Sequence, residues 1–102
     1  LAVDDGVVHI CIPDYDYADN GTGKLMYIRS NNGGSSFETP VELVNTGGGY
    51  NYFGRSYIKA VGNKVAIAYD GNGSQDGTRI LYSSNGGNSF TGTLISTESN
   101  NI

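Results

Sequence analysis

The sequence predicts an all-β protein built from two copies of one four-stranded antiparallel unit. An octet occurs twice: residues 30–37 are SNNGGSSF and residues 83–90 are SSNGGNSF, identical at six of eight positions and 53 residues apart. Short apolar runs typical of strands flank both octets. Glycine makes up 16 of the 102 residues, and no segment has helical apolar spacing. A repeat at this separation indicates a repeat architecture.

The first unit is predicted to cover residues 1–44. Its four strands are expected at Leu1–Val3, Val7–Ile12, Lys24–Arg29 and Pro40–Val44. A tight turn joins the first two strands, and a long polar loop, residues 13–23, joins the second to the third. Residues 45–54 are then predicted to form a linker between the two units.

The second unit is predicted to cover residues 55–97 and is followed by a tail, residues 98–102. Its strands are expected at Arg55–Val61, Lys64–Asp70, Thr78–Tyr82 and Thr93–Thr97. The two units align in pairs: Leu1 with Ile58, Val8 with Val65, and Ile10 with Ile67. Strands with apolar residues on both faces are typical of sheets that pack between neighbouring sheets.

Each octet is predicted to form the hairpin turn between the third and fourth strands of its unit. Asn-Gly-Gly favours such a turn because glycine readily adopts the positive φ that the turn requires. The asparagine side chain can accept hydrogen bonds from backbone N–H groups further along, and the serine hydroxyls can join that network. Phe37 and Phe90 are then expected to pack each hairpin onto its own sheet.

The octet resembles the Asp-box of the sialidase-type (BNR repeat) β-propellers, which is written S-x-D-x-G-x-S/T-W/F. The matching residues are Ser30, Asn32, Gly34, Ser36 and Phe37 in the first copy, and Ser83, Asn85, Gly87, Ser89 and Phe90 in the second. Asparagine replaces the usual aspartate and phenylalanine the usual tryptophan. The resemblance implies that each box is a structural turn on the side opposite the active site, without a catalytic residue.

The resemblance also implies that the two units are blades of a β-propeller. Two blades alone would expose a sheet face at each end, which invites association. Three arrangements stay open: a fragment of a longer propeller, a ring closed by several copies, or an open stack capped by dimerisation. Three copies, a homotrimer, would give the six blades typical of sialidases, and head-to-tail closure of a ring is physically sound.

Composition and charge narrow the classes of partner. The net charge is −4 with only six Lys and Arg, so nucleic acid and anionic membranes are not expected partners. No apolar run is long enough for a membrane-spanning helix. Cys11 is the only cysteine, which excludes an intrachain disulfide. The abundance of Gly, Asn, Ser and Tyr, with few lysines, favours a secreted or extracellular protein.

The loops opposite the octets are the candidate ligand site. Four of the eight tyrosines lie in these loops, among carboxylates and amides. Aromatic faces stack on the C–H faces of sugars, and fixed polar groups bind sugar hydroxyls, so the pattern predicts glycan binding. The predicted ligand residues are Asp14, Asp16, Tyr17, Tyr50, Tyr52, Arg55, Asp70 and Asp76. The alternative is that these are ordinary loops of a propeller rim.

Arg55 opens a strand at this same side of the predicted fold. The resemblance implies arginines there that clamp a substrate carboxylate, and a threefold ring would bring three copies of Arg55 around its axis. The alternative is a surface arginine that pairs with a loop aspartate. Arg29 and Arg79 are expected to be solvated, whereas His9 and Cys11 are expected to pack as core or edge residues.

A calcium site is the weaker alternative for the acidic loops. Asp70, Asn72, Ser74 and Asp76 alternate as oxygen ligands, and Asp14 and Asp16 begin a similar run. Neither run completes a known calcium loop, because Gln75 replaces the glycine and no glutamate follows at the twelfth position. We therefore expect no cofactor and interpret these residues as turn formers. The alternative interpretation is that they bind Ca²⁺.

The sequence therefore predicts a glycan-binding Asp-box β-propeller unit that assembles with copies of itself. Two alternatives remain: a two-blade fragment of a sialidase-like glycoside hydrolase, and a structural or protein-interaction propeller without a small ligand. The resemblance implies that a sialidase needs a Tyr nucleophile with a Glu base, an Asp acid and three arginines. Glu38, Glu42 and Glu98 all fall on the octet side or an outer strand, so we expect no catalytic residue.

Overall fold

The structure, a computed structural model, describes residues 1–16, 21–45, 53–71 and 77–96. Eight strands make up this part of the chain, and they form two four-stranded sheets. The strands are β1 (Ala2–Asp4), β2 (Val7–Asp16), β3 (Thr22–Ser30), β4 (Val41–Asn45), β5 (Phe53–Val61), β6 (Lys64–Gly71), β7 (Gly77–Ser83) and β8 (Thr91–Ser96). The described residues include no helix that is long and apolar enough to cross a membrane.

Both sheets are antiparallel meanders in which each strand pairs with the next one in the chain. Sheet 1 has the order β1-β2-β3-β4 and sheet 2 the order β5-β6-β7-β8. The registers correspond as well, because Val8 pairs with Ser30 in sheet 1 and Val65 pairs with Ser83 in sheet 2. The all-β class and the two four-stranded antiparallel units that the sequence predicts are confirmed.

Strand β2 is longer than expected and continues through Asp16. Asp14 and Asp16 therefore lie in a strand, paired with Lys24 and Thr22, and their predicted position in a polar loop is wrong. The physical reason is that β3 begins early, at Thr22, and supplies backbone partners along the whole extension. Pro13 is compatible with this extension because β1 pairs with β2 only at residues 7–9, so the proline lies beyond that ladder.

The second difference in strand limits concerns the linker that is predicted at residues 45–54. Asn45 still belongs to β4, where it pairs with Lys24. Strand β5 begins at Phe53, which pairs with Gly71, rather than at Arg55. The strands thus extend into both ends of the predicted linker.

The hydrophobic core lies between the two sheets. Its buried members are Leu25, Tyr27, Ile67, Tyr69 and Leu81, two from sheet 1 and three from sheet 2. Partly buried side chains surround them, namely Cys11, Leu43, Val44, Ile58 and Phe90. Each fully buried aliphatic side chain of this kind contributes about 1.5–3 kcal/mol, so contact between the sheets is a main source of stability.

The strand register assigns every side chain to one of two faces on each sheet, because successive residues of a strand alternate. The inner faces meet in the core. The outer face of sheet 1 carries Val3, Val8, Ile10, Ile12 and Ile28. The outer face of sheet 2 carries Tyr57, Val61, Ala66, Ile80 and Tyr82. Both outer faces are thus apolar, although no second layer covers them in the described chain.

Candidate functional site

The two octets fold into turns with the same hydrogen bonds. In the first octet turn, residues 30–37, the Ser30 hydroxyl donates to Asn32 Oδ1 at 2.8 Å and accepts from the Gly34 amide at 2.9 Å. Asn32 Oδ1 also accepts from the Ser36 amide at 3.0 Å. The Asn32 backbone amide also donates to the Ser30 hydroxyl, at 3.3 Å, so one asparagine oxygen and one serine oxygen satisfy three backbone donors of the turn.

The second octet turn, residues 83–90, repeats this network. Ser83 donates to Asn85 at 2.7 Å, and the amides of Gly87 and Ser89 donate inward at 2.9 and 3.0 Å. The amide of Gly86 donates to the Asn63 carbonyl at 2.7 Å, so the octet turn lies beside the β5–β6 turn. The polar side-chain atoms that the two octets share form hydrogen bonds within the turn, so the turn is a structural element.

The two octet phenylalanines differ in environment, although the sequence predicts the same packing for both. Phe90 meets the ring of Tyr27 edge to face, with ring centroids 5.1 Å apart. It therefore packs against sheet 1 rather than only its own sheet. Phe37 is 47% exposed and is thus less covered than Phe90. The reason is that sheet 1 has no neighbour on its outer face within the described chain.

Arg29 links the two sheets, and the expectation that its side chain is solvated is wrong. Its guanidinium binds the Glu38 carboxylate through two nitrogens, at 2.6 and 3.0 Å, and donates to the Gly86 carbonyl at 2.7 Å. The hydrogen-bonded Glu38 raises the pKa of Arg29, and Arg29 lowers the pKa of Glu38. This contact ties sheet 1 to the second octet turn, so its role is structural.

His9 is a core residue, as the sequence suggests. It is 1% exposed, and its Nδ1 lies 2.6 Å from the hydroxyl oxygen of Tyr27. Burial lowers the pKa of His9 first, the nearby Arg29 lowers it further, and Asp4 opposes both effects. These effects favour the neutral imidazole, and burial keeps the ring away from the surface where a substrate would bind.

Cys11 packs beside this core and is not exposed. Burial raises the pKa of its thiol, while a hydrogen bond with Ser56 of sheet 2 acts in the opposite direction. Because the thiolate is the nucleophilic form, the raised pKa makes Cys11 an unreactive packing residue.

A different polar cluster lies at the end of sheet 2 opposite the octet turn. Asp70 is the penultimate residue of β6 and is only 2% exposed. Its Oδ1 accepts from the Thr78 hydroxyl at 2.8 Å, and its Oδ2 lies 3.8 Å from Nη2 of Arg55. Among the described residues, no group donates a hydrogen bond to Oδ2. A buried carboxylate oxygen that lacks a donor is energetically unfavourable, which marks this cluster as the candidate site.

This polar cluster lies at the end of the sheets that is opposite the octet turns. Strand β2 ends and β3 begins at this end of sheet 1, and β6 ends and β7 begins at this end of sheet 2. Arg55 lies near the start of β5, with a half-exposed side chain. The cluster thus combines a buried carboxylate with an accessible cation at the rim of the sheets.

Of the predicted ligand residues, the structure brings Arg55 and Asp70 together. Asp14 lies on β2 with an exposed side chain, and the backbone of Asp16 ends that strand. Tyr17, Tyr50, Tyr52 and Asp76 lie outside the described residues. Sequence reasoning missed Thr78. Its signal is the strand pairing, since Thr78 is the direct cross-strand partner of Asp70.

The calcium alternative falls mostly outside the described residues. Asn72, Ser74 and Asp76 are not described, and Asp70 alone of that run is placed. Among the residues whose positions are known, no group of three or more His, Cys, Asp or Glu side chains could hold a metal ion.

Comparison with protein-family models, with curated proteins and with solved structures found no match for this chain.

Proposed function

We propose that this chain is a two-blade unit of an Asp-box-type β-propeller that binds carbohydrate at the end carrying Arg55 and Asp70. Three features support the proposal: the two meander sheets packed face to face, the identical octet turns at one end, and the polar cluster at the other end. A secreted or extracellular location is part of the same proposal, since extracellular glycans would be the natural ligands.

The observation that carries the ligand proposal is the Asp70 Oδ2 atom, which is buried and accepts no hydrogen bond from any described residue. Thr78 holds the other oxygen, so the carboxylate is fixed in position and one acceptor remains. A sugar hydroxyl is a neutral donor of the right size for that acceptor. In a site shielded from water, such a charge-assisted hydrogen bond is stronger than in bulk solvent.

Arg55 complements Asp70 in this proposal. Its guanidinium is near the carboxylate and half exposed, so it can donate to ring or hydroxyl oxygens, or to a sugar carboxylate, at the rim. An acceptor and a donor side by side are suited to neighbouring hydroxyl groups of one sugar ring. The tyrosines that the sequence predicts as stacking platforms, Tyr17, Tyr50 and Tyr52, lie outside the described residues.

The experiment is a glycan array followed by titration of the best sugar. We expect Asp70→Asn and Arg55→Met to weaken binding by about 10-fold or more, because each removes a charge-assisted hydrogen bond. Asp5→Asn is the matched control: Asp5 lies at the octet end, is exposed, and should leave binding unchanged.

Two results would contradict the proposal. No binding of any sugar at millimolar concentration by the folded protein would leave a structural or interaction propeller. Binding that survives Asp70→Asn would place the sugar elsewhere. Hydrolysis of a fluorogenic sialoside that Arg55→Ala abolishes would instead favour a sialidase-like glycoside hydrolase.

A further inference from the structure

We propose that copies of this chain associate head to tail, with the outer face of sheet 2 in one copy packed on the outer face of sheet 1 in the next. The contact would reproduce the packing of sheet 1 on sheet 2 within one chain. This inference concerns the sheet faces and does not depend on the carbohydrate site.

The repeat makes the outer face of sheet 2 equivalent to the inner face of sheet 1. The alignment by strand position matches Asp4 with Val61, His9 with Ala66, Tyr27 with Ile80, and Arg29 with Tyr82. In each of these pairs, the residue in sheet 1 contacts or faces sheet 2, and its counterpart in sheet 2 lies on the outer face. The outer face of sheet 2 thus has the same strand arrangement as the inner face of sheet 1, with apolar side chains at these positions.

The converse holds for the outer face of sheet 1, which is equivalent to the inner face of sheet 2. Val8 corresponds to Val65, Ile10 to Ile67, Ile28 to Leu81, and Phe37 to Phe90. The sheet 2 members are core residues or pack against the core. Their counterparts on sheet 1 are equally apolar, so the sequence retains a core-like surface where no core is formed within one chain.

Exposure is concentrated on these two faces. Eight large apolar side chains are exposed among the described residues, and seven of them occupy outer-face positions. They are Leu1, Val3, Ile12 and Phe37 on sheet 1, and Tyr57, Val61 and Tyr82 on sheet 2. Exposed apolar side chains gathered on a sheet face are typical of an interaction site.

The octet turns indicate which side chain of another copy would lie on the outer face of sheet 1. At Gly87, an added Cβ would lie 2.1 Å from the Tyr27 hydroxyl oxygen, whereas at Gly34 nothing lies within 4 Å. Phe90 packs on Tyr27, whereas Phe37 is exposed. The counterpart of Tyr27 is Ile80, so Ile80 of another copy is the side chain expected over Gly34 and beside Phe37.

Lysines disfavour the association of one face with its own copy. Lys59 and Lys64 lie on the outer face of sheet 2. The outer face of sheet 1 instead carries Asp14 and Glu42 together with Lys24. A contact between two sheet 2 faces would bring two lysine-bearing surfaces together, and juxtaposed like charges are unfavourable.

The contact inside the chain and the contact between copies differ in chemistry. Inside the chain, Arg29 donates to Gly86 O, and the Asp4 carboxylate accepts from the Gly62 amide. On the outer face of sheet 2, the positions equivalent to Arg29 and Asp4 are occupied by Tyr82 and Val61. The whole chain is therefore the repeating unit, and a head-to-tail contact adds sheets two at a time until the ring closes. Three copies would close a ring of six sheets.

Two half-blocked variants test the faces separately. Val61→Glu/Tyr82→Glu blocks the outer face of sheet 2, and Val3→Glu/Ile12→Glu blocks that of sheet 1. All four side chains are exposed, so the core is untouched. The control is Val41→Glu, since Val41 is the eighth exposed side chain and lies outside both outer faces. Circular dichroism and thermal unfolding establish that each variant is folded.

Light scattering with sedimentation gives the masses. We expect the wild type and the control at three times the 10.8 kDa of one chain. Each blocked variant alone should have the mass of one chain. An equimolar mixture of the two blocked variants should have the mass of two chains and grow no further, because only one pair of intact faces remains.

Three outcomes would overturn the proposal. The wild type could have the mass of one chain at 100-fold different concentrations. The variant blocked on sheet 1 could still dimerise by itself, which would show a contact between two sheet 2 faces. The mixture of folded blocked variants could remain at the mass of one chain, in which case the outer faces do not recognise each other.

Discussion

The hydroxyl oxygen of Tyr27 in sheet 1 lies against the α-carbon of Gly87 in sheet 2, where an added Cβ would come within 2.1 Å of it. Position 87 thus requires glycine for two reasons. There is no space for a Cβ, and the φ of +93° is one that residues with a side chain rarely adopt. The same hydroxyl oxygen lies 2.6 Å from Nδ1 of His9, so one phenol connects a buried histidine to the octet turn of the neighbouring sheet.

This contact predicts different effects for two equivalent glycines. Gly34 has a similar φ of +96° but nothing within 4 Å, so Gly34→Ala should cost about 1–2 kcal/mol from backbone strain alone. Gly87→Ala should cost about 1–3 kcal/mol more, because the methyl group also displaces Tyr27. Chemical denaturation measures both, and equal losses would contradict the close contact.

The octet network predicts that position 85 requires a side-chain oxygen that accepts hydrogen bonds, and that an amide group as such is not needed. Asn85→Asp keeps an oxygen for the Ser83 hydroxyl and the Ser89 amide, so stability should change by less than about 0.5 kcal/mol. Asn85→Leu has a similar shape but leaves those donors unpaired and should cost about 2 kcal/mol or more. A result in which both variants unfold equally in urea would exclude this role.

The buried His9 predicts a loss of stability in mild acid. Its pKa is lowered in the folded state, so the unfolded chain takes up a proton first as pH falls below about 6.5. The stabilising contribution is complete above that pH and declines as pH falls toward the folded pKa, by up to about 1.4 kcal/mol per pH unit. Unfolding by urea at pH 8 and pH 5.5 measures this decline.

His9→Gln is the comparison for that experiment, because glutamine does not titrate and Tyr27 retains a polar neighbour. The variant should be less dependent on pH over this range, even where its stability is lower throughout. Asp4 and Arg29 are the charged neighbours of His9 and are present in both proteins. An identical pH profile for variant and wild type would show that His9 is not the responsible group.

The contact of Arg29 with Glu38 and Gly86 predicts an order of stability among three variants. Arg29→Lys loses the two-pronged contact and weakens the bond to the Gly86 carbonyl, whereas Glu38→Gln leaves that bond in place. Arg29→Lys should therefore lower the melting temperature more than Glu38→Gln, and Arg29→Ala should lower it most. Differential scanning calorimetry at pH 7 ranks them, and a larger effect of Glu38→Gln would contradict the link between sheets.

Glu38 also contributes to the dependence on acid. Its pKa is lowered by Arg29, so its contribution is present above the unfolded value and is lost as pH falls through the folded value. This loss begins below about pH 4.5, the ordinary pKa of glutamate, whereas that of His9 begins below about pH 6.5. The two effects are separable because Glu38→Gln should alter only the more acidic part of the profile.

The turns and their local hydrogen bonds could be predicted from the sequence. The octets predict turns, and the turns contain the hydrogen bonds that Ser30, Asn32 and their counterparts suggest. The strand limits were less accurate. Asp14 and Asp16 look like loop residues, yet they are strand residues because the early start of β3 at Thr22 supplies backbone partners. Pairing across strands overrides local preference in such cases.

The candidate site was only partly predictable for the same reason. Arg55 and Asp70 were identified by residue type and position, but the burial of Asp70 and its bond to Thr78 depend on strand register. Likewise, Arg29 looks like a solvated strand residue. It is held by Glu38, nine residues away, and by Gly86, 57 residues away, and no local pattern indicates such partners.

The sequence by itself determined the all-β class, the two four-stranded units and the repeated turn, because alternation, glycine and asparagine act over a few neighbouring residues. Only the tertiary structure decided which faces of the sheets are buried. Equivalent residues such as Phe37 and Phe90 have different environments because packing depends on what lies across the interface. A repeated sequence thus yields two unequal faces, since sheet 1 covers one side of sheet 2 while its own outer side has no cover within the described chain.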